Sequence, residues 1–348
     1  MENLYPLLFK DNFFEKVWGG QRLKPFKGLP TDSEPIGESW EVSAVPGKES
    51  IAANGFLAGK TLSEIVSTYP ESMLGHNVVK TYGPKFPLLI KFIDAKEDLS
   101  IQVHPNDELA MQRHGTMGKT EMWYIIEAQE GACLYSGFNQ PISTYEYERR
   151  VEDGSICEVL AKHHVKKGDV VFIPAGRIHA IGGGILLAEI QENSDITYRI
   201  FDYNRPGLDG KPRELHTEMA KDAIDFKVYD NYLTLYQQKL NKPMAIAECP
   251  YFTMKYHDVT RPFHRKLYKY DSFIVYMCIK GNCRIVSRVD SALSVSLHVG
   301  QSCLVPACIA DIDITPDNPQ GTSKVLEVYI DNKHFNRDKD NTFHFFCL

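Results

Sequence analysis

Short runs of β-branched and aromatic residues, separated by glycine and proline, dominate the hydrophobic pattern of this chain. Runs of this length with turn residues between them are typical of antiparallel strands in a sandwich or barrel. The pattern therefore predicts a mainly β protein with a few short helices. The clearest strand predictions are residues 88–93, 100–103, 122–126, 170–173, 273–277 and 295–299.

Helical signals are fewer. Thr61 and Glu64 form a capping box, which predicts that a helix begins there. Residues 107–113 predict a short helix and residues 215–226 a longer one. We place a domain boundary after this last helix, in the polar run that ends at Lys242.

An internal repeat supports two similar halves. Gly168 stands six residues before Pro174, and Gly300 stands six residues before Pro306. Glycine, a short strand and then a proline fit a tight turn followed by a strand that ends where pairing stops. Two jelly rolls of the same kind explain the repeat most simply.

Composition narrows the class of protein. The chain has 348 residues, 43% hydrophobic and 24% charged, with a net charge of -6. An acidic balance argues against nucleic acid as a partner. No apolar stretch reaches the length of a membrane span, and the first residues lack the pattern of a signal peptide, so we expect a cytoplasmic protein without a membrane partner.

Cysteine spacing indicates no metal cluster. Cys278 and Cys283 are five residues apart, as are Cys303 and Cys308. If each pair lay on one strand, its side chains would point to opposite faces. We therefore expect reduced, mostly buried thiols.

Three segments carry residues that could bind a metal. In a strand, Ser100, Gln102 and His104 share one face; Glu121 precedes an apolar run, and His179 follows a Pro-Ala-Gly turn. Each segment also has an ordinary structural explanation. The first would be an amphipathic strand with its polar face in water, Glu121 a charge that caps a strand, and His179 a histidine satisfied within the core. Together, two imidazoles, a carboxylate and an amide suit zinc or another borderline divalent ion.

The second half lacks this set. By the repeat, Asp271 stands where the first half has Glu121, and Asp311 where it has His179, while nothing matches His104. One metal site is therefore expected, in the first half.

These segments resemble type I mannose-6-phosphate isomerases, a family of the cupin superfamily, and in particular the short bacterial kind. The resemblance rests on SIQVHPND from Ser100, GKTEMWY from Gly118, IPAGRIHAI from Ile173 and EIQENSDITYR from Glu189. It implies two cupin-type jelly rolls. Residues 1–240 would form the catalytic metal-binding domain with helical insertions, and residues 241–348 a cupin-like jelly roll without the ligands.

The resemblance also implies an activity and a site. Such an enzyme interconverts mannose 6-phosphate and fructose 6-phosphate through an enediolate, with one zinc ion. The residues that match the family's zinc ligands are Gln102, His104, Glu121 and His179, and Arg199 matches the arginine credited with catalysis.

The general base is less constrained. Glu189 follows the apolar run 185–188, where burial would raise its pKa toward a useful range, so it is our first choice. Glu41, Glu192 and a water held by the metal are the alternatives.

A sugar phosphate needs an anion-binding set. Lys91, Ser100, Lys119 and Arg205 occupy positions that family members use near substrate. Two other functions stay open: a non-catalytic sugar-binding cupin that acts as a sensor, and an isomerase of a related sugar phosphate. The presence of both Arg199 and Lys119 disfavours the sensor.

Overall fold

The computed structural model describes residues 3–318 and 320–334, in which paired strands run antiparallel in four sheets. The strands are β1 Leu7–Leu8, β2 Phe13–Gly20, β3 Ile36–Val42, β4 Leu88–Ala95, β5 Ile101–Val103, β6 Glu121–Ala128, β7 Cys133–Phe138, β8 Leu160–His164, β9 Val170–Ile173, β10 His179–Ile181, β11 Ile185–Glu192, β12 Tyr198–Phe201, β13 Met244–Glu248, β14 Thr253–Val259, β15 Phe263–Lys266, β16 Ile274–Lys280, β17 Cys283–Ser287, β18 Ser294–Leu297, β19 Ser302–Val305, β20 Asp311–Pro316 and β21 Ser323–Tyr329. The helices are α1 Leu23–Phe26, α2 Leu62–Thr68, α3 Pro70–Leu74, α4 His76–Tyr82, α5 Asp107–His114, α6 Thr144–Glu152 and α7 Thr217–Ala223, with 3-10 turns at Ile156–Val159 and Asn332–His334.

The first jelly roll consists of a six-stranded and a five-stranded sheet, in the orders β2-β3-β4-β11-β6-β9 and β12-β5-β10-β7-β8. The short strand β5 shows how this roll creates a polar interior. Ile101 and Val103 point outward into an apolar cluster that includes Tyr147 of α6 and Ala220 of α7. Because side chains alternate along a strand, Gln102 points the other way, into the roll.

The second jelly roll pairs β1-β19-β16-β21-β14-β13 with β15-β20-β17-β18. Its outermost strand β1 comes from the N-terminus, where Leu7 pairs with Leu304. The chain therefore begins in the second roll before it builds the first, although the boundary near residue 240 stays a prediction.

The two six-stranded sheets share one apolar core. Met122 and Tyr124 of β6 belong to the same cluster as Met254 and Tyr256 of β14, and the two tyrosine rings stack 6.0 Å apart. Trp123, between them in β6, points into the first roll instead. Burial on both faces explains why this strand is a continuous apolar run.

The predicted strands are confirmed, with small shifts at their ends. The capping box is also confirmed: Thr61 Oγ1 accepts the N–H of Glu64, whose carboxylate accepts the N–H of Thr61. The predicted helix over 215–226 is shorter, from Thr217 to Ala223, because Ile224 is already extended.

The predicted geometry of the cysteine pairs was wrong. Cys278 ends up in β16 and Cys283 in β17, which are consecutive strands joined by a turn at Gly281, rather than on one strand. Both side chains therefore lie in the same apolar cluster, together with Cys303. The described cysteines are nevertheless free thiols, as expected.

No helix within the described residues combines the length and apolar character needed to cross a bilayer. The cytoplasmic location stays a prediction.

Candidate metal centre

His104, Glu121 and His179 meet inside the first jelly roll, between its two sheets. Their ligand atoms all lie within 4.8 Å of one another. One oxygen of Glu121 is 3.4 Å from His104 Nε2, and the other is 3.3 Å from His179 Nε2. All three side chains are almost completely buried. Within the described ranges this is the one group of histidine, cysteine and acidic residues with metal-binding spacing.

Backbone pairing holds these residues in place. His104 precedes Pro105, which restricts it to extended conformations, and its carbonyl accepts the N–H of Gly176 at 2.9 Å. His179 pairs with Gln102 on the neighbouring strand β5. Glu121 enters from the opposite sheet, where it begins β6.

Hydrogen bonds orient both imidazoles. His104 Nδ1 lies 2.9 Å from the carbonyl oxygen of Ile196, and His179 Nδ1 lies 2.7 Å from that of Arg177. Each ring therefore donates its Nδ1–H to a carbonyl and directs the lone pair of Nε2 into the site. This arrangement is typical of histidines that bind metals.

The buried polar atoms at the centre lack hydrogen bonds. His104 Nε2 and both carboxylate oxygens of Glu121 have no hydrogen-bond partner. Leaving such groups unsatisfied away from water is costly, so a native protein normally provides a partner. A divalent cation satisfies all of these acceptors at once, and the residues present therefore fit a metal.

The protonation states agree with ligand roles. Burial, assisted by the Lys119 ammonium, lowers the pKa of His104 to about 3, and burial also lowers the pKa of His179. Burial alone would raise the pKa of Glu121, but Lys119 and the two imidazoles hold it well below its usual range. Neutral imidazoles and an ionised carboxylate are the forms that bind a metal.

Gln102 lies beside this cluster. Its Nε2 is 3.3 Å from His179 Nε2, so the amide nitrogen faces the ring. A half-turn of the amide would present the oxygen to an ion instead. Gln102 as a fourth ligand stays a prediction.

Arg199 is the residue of β12 that pairs with Gln102, and it therefore faces the same interior. Its Nη1 donates to the carbonyl of Glu214 at 2.9 Å, while its Nε is buried without a hydrogen-bond partner. Burial, followed by the neighbouring charge of Arg213, lowers the pKa of Arg199. An anionic partner would therefore stabilise the charge of this guanidinium.

Glu189 lies on β11 between Lys91 and Trp123, its neighbours on the two flanking strands. Lys91 Nζ is 3.1 Å from one oxygen, and Trp123 Nε1 donates to the other at 3.0 Å. Burial raises the pKa of Glu189, and Lys91 partly opposes the rise. A buried carboxylate with a raised pKa is suited to accept a proton.

The two alternative carboxylates, Glu41 and Glu192, have other surroundings. Glu41 is bound by Lys27 at 2.5 Å and by Ser39 at 2.6 Å. Glu192 is two residues from Ile190, which belongs to the core shared by the two rolls, so it faces away from the metal ligands. Burial, with Asp107 adding to it, raises the pKa of Glu192 well above its usual range.

The predicted substrate-binding residues lie in three places. Lys119 Nζ is 3.3 Å from Glu121, and Ser100 is buried just before β5, so both lie by the metal ligands. Lys91 is buried as well, with its charge taken up by Glu189. Arg205 is farther along the chain and binds Asp202.

Sequence reasoning missed several residues that shape the site. Glu38 receives the Nε1–H of Trp40 at 2.9 Å, and Lys91 and Lys16 hold the pKa of this carboxyl at about 2 against the effect of burial. Alternation along β3 could have placed Glu38 on the same face as Trp40, which the structure pairs with Lys91 of β4. Asp202 and Arg213 had no such signal, because a loop brings them together.

Comparison with known proteins identifies the relatives. The family model described as phosphomannose isomerase type I, catalytic domain, matches residues 7–132, a range that contains His104 and Glu121 but ends before His179. Mannose-6-phosphate isomerase ManA of Bacillus subtilis is 37% identical over 285 residues, 81% of this chain and 88% of the relative. A mannose-6-phosphate isomerase of Streptococcus mutans is 38% identical over 219 residues, 63% of this chain and 67% of the relative.

Solved structures of similar proteins agree with the sequence comparison. The structure of mannose 6-phosphate isomerase from Bacillus subtilis superposes with a TM-score of 0.83 at 32% identity, covering 93% of this chain and 99% of that one. A putative mannosephosphate isomerase from Archaeoglobus fulgidus shares the fold, with a TM-score of 0.77 at 24% identity over 95% of this chain and 99% of that one. On the strength of these relatives and of the fold, this chain belongs to the type I phosphomannose isomerase family.

Proposed function

We propose that this protein is a metal-dependent mannose-6-phosphate isomerase, which interconverts mannose 6-phosphate and fructose 6-phosphate. One observation carries the proposal. Both oxygens of the buried Glu121 lie without hydrogen bonds between two oriented imidazoles, in a chain whose relatives carry that name. A sensor that only binds sugar would not need a buried proton acceptor such as Glu189 beside those ligands.

His104, Glu121 and His179 would hold one divalent ion, with Gln102 as the fourth ligand after rotation of its amide. Zinc suits two neutral imidazoles and one carboxylate. When bound there, the ion polarises the substrate's carbonyl and stabilises negative charge on its oxygen.

Glu189 is assigned as the general base. The reaction moves a proton between C1 and C2 of the sugar, and one carboxylate can accept it from one carbon and return it to the other. Lys91 and Trp123, which bind the two oxygens, fix the direction of the carboxylate. Lys91 is therefore assigned to holding the base, and its contact with substrate stays a prediction.

Arg199 is assigned to the charge that develops on the substrate's oxygens in the enediolate. Its guanidinium keeps its proton at any physiological pH and has a donor without a partner. Lys119 and Ser100 would contact the sugar from the ligand side, and Arg205 would bind the phosphate.

The two parts of the chain would have different roles. Residues 1–240 would provide the catalytic chemistry, and residues 241–348 the second jelly roll, whose described part, ending at residue 334, packs against the first through the shared core. Residues 335–348 of that range lie outside the described part.

A coupled assay tests the function. Formation of fructose 6-phosphate from mannose 6-phosphate is measured before chelation, after chelation and after zinc is returned. Activity that disappears and comes back supports the proposal. Sugar binding without turnover would support the sensor, and turnover of a different sugar phosphate alone would reassign the substrate.

A further inference from the structure

Two arginines form hydrogen bonds with one buried aspartate beside the proposed site. Arg205 donates to Asp202 Oδ1 through Nε at 3.1 Å and Nη2 at 2.9 Å. Arg213 donates through Nη2 to the same oxygen and through Nε to Oδ2, both at 2.6 Å. Asp202 is 5% exposed, whereas the side chains of Arg205 and Arg213 are 15% and 22% exposed.

These bonds leave donors free. A guanidinium has five N–H groups, and each arginine uses two of them on Asp202. The carboxylate therefore fixes the planes of both groups while their remaining N–H groups stay available. Fixed, planar donors are what bidentate recognition of a phosphate requires.

The positive charge around these arginines favours binding of an anion. Arg199 lies near enough for the charges of Arg213 and Arg205 to lower its pKa, although burial lowers it more. Asp202 is bonded to Arg205 and Arg213, Glu97 lies 3.9 Å from Arg205, and the charge of Glu214 also acts on Arg199. Of these three carboxylates only Asp202 is buried, because the side chains of Glu97 and Glu214 are 59% and 83% exposed. Water screens the exposed charges, so the three guanidiniums keep an excess of positive charge toward the interior, in a protein whose net charge is -6.

The backbone is bent to form this arrangement. Tyr203 and Asn204, which join Asp202 to Arg205, have φ angles of 55° and 52°. Left-handed conformations are unfavourable for most residues other than glycine and asparagine, and they cluster at functional sites. The turn directs Arg205 back onto the aspartate that precedes it.

We infer that Arg213 binds the substrate's phosphate together with Arg205, and that Asp202 is the positioning residue that holds both. This rests on the proposed function, because Arg199 connects the trio to the metal ligands through its pairing with Gln102. The alternative is a structural ion-pair cluster that anchors the loop from Tyr203 to Pro212 and touches no ligand.

Binding of a hexitol 6-phosphate to the metal-loaded protein tests the inference. This probe has no carbonyl and cannot be isomerised, so calorimetry measures its affinity without turnover. Arg213→Ala should weaken binding about 10- to 100-fold, the usual effect of losing charge-assisted hydrogen bonds to an anion. In steady-state assays KM for mannose 6-phosphate should rise by a similar factor while kcat changes less, and Arg213→Lys should recover part of the loss.

Asp202→Asn separates positioning from simple electrostatics. It makes the site more positive, so a purely electrostatic site would bind the hexitol phosphate more tightly. A positioning role predicts weaker binding, because the two guanidiniums lose their shared anchor. Arg150→Ala is the matched control: Arg150 has a side chain 16% exposed and ion pairs with Glu146 and Glu158 on a different surface, and its loss should leave binding unchanged.

The outcomes distinguish the two proposals. If the wild-type protein does not convert mannose 6-phosphate, the proposed function fails whatever the variants do. If the wild type is active and Arg213→Ala, still folded and metal-loaded, binds the hexitol phosphate normally, only the role of Arg213 is refuted. Tighter binding by Asp202→Asn would overturn the positioning role.

Discussion

Each jelly roll of this protein buries a carboxylate completely, Glu121 in the first and Glu327 in the second. Both face a histidine and a cation: Glu121 lies beside His104, His179 and Lys119, and Glu327 beside His257 and Arg265. Residue types alone would give the two sites the same description. Their hydrogen bonds are different.

Glu327 is satisfied by the protein. Arg265 donates to one oxygen at 2.8 Å and also binds the other, and Tyr276 donates its hydroxyl at 3.0 Å. Burial opposes ionisation, but His257 and Arg265 hold the pKa of Glu327 far below its usual range. This carboxylate needs no ion.

Glu121 differs because neither oxygen has a hydrogen bond. Lys119 lies 3.3 Å from one of these oxygens but forms no hydrogen bond with it. The lack of well-aligned protein donors, rather than the presence of histidine, therefore distinguishes a metal site from a structural ion pair. Arginine satisfies a carboxylate with a fork of donors, whereas an imidazole bound to a carbonyl through Nδ1 turns a lone pair toward it. The second roll keeps a similar set of residues and uses it for structure.

The largest effect should come from His104→Ala. Loss of one ligand should lower kcat by about 10³-fold or more, because a bound metal supplies several kcal/mol of charge stabilisation and each 1.36 kcal/mol is a factor of ten. Turnover of mannose 6-phosphate measures it. The matched control is His257→Ala, also buried beside a carboxylate, which should leave the metal in place. Equal losses of turnover in both variants, with both still folded, would remove the distinction between the two sites.

Arg265→Ala should lower the stability of the protein and leave its activity largely unchanged. It leaves Glu327 buried without its main partner, a change that typically costs about 3–5 kcal/mol in the free energy of unfolding. Denaturant unfolding measures it, and the metal content should stay normal. The double variant Arg265→Met with Glu327→Leu should recover most of the loss, since replacing both members of a buried pair by apolar groups is often nearly neutral. A double variant as unstable as the single one would contradict this reading.

Arg199→Ala should lower kcat by about 10²–10³-fold, the effect of removing one donor to a developing oxyanion. The metal should be retained, because an arginine offers no lone pair to an ion. Turnover and metal content are measured on one sample, with Arg149→Ala, on the exposed face of α6, as a control. Normal turnover with normal metal would make Arg199 structural.

The smallest effect should be a shift in pH dependence. Lys91 opposes the rise that burial causes in the pKa of Glu189, so Lys91→Met should raise that pKa further. A base works only when ionised, so as the pH falls activity should be lost earlier, at a higher pH than in the wild type. The acid limb of kcat/KM reports the shift, and Lys166→Met, at an exposed lysine, should not move it. An unmoved or lowered limb in Lys91→Met would remove Glu189 as the base.

The sequence predicted that His104, Glu121 and His179 form one group, and the structure confirms this grouping. Strand alternation, a local rule, left each of the three segments open, and the family resemblance joined them. Ile101 and Val103 needed an apolar neighbour, so Gln102 had to face the opposite side, and His104 and His179 stood beside prolines and glycines that end strands. The same rule failed for Cys278 and Cys283, because it assumed one strand where the chain makes a hairpin.

What the sequence could not predict depends on distant contacts. Nothing local to Leu7 indicates that it pairs with Leu304. Asp202 and Arg213 are eleven residues apart and carry no periodic signal, since a loop with two left-handed residues brings them together. The difference between Glu121 and Glu327 was also hidden, because it depends on which donors cross the interior from another sheet.

Glu121 should hold a metal, whereas Glu327 should not. Elemental analysis of the wild type and of the matched variants Glu121→Gln and Glu327→Gln, each checked for folding, decides this. We expect one equivalent of divalent metal in the wild type and in Glu327→Gln, and a large loss of metal in Glu121→Gln. A full equivalent in folded Glu121→Gln, or its loss in folded Glu327→Gln, would contradict this expectation.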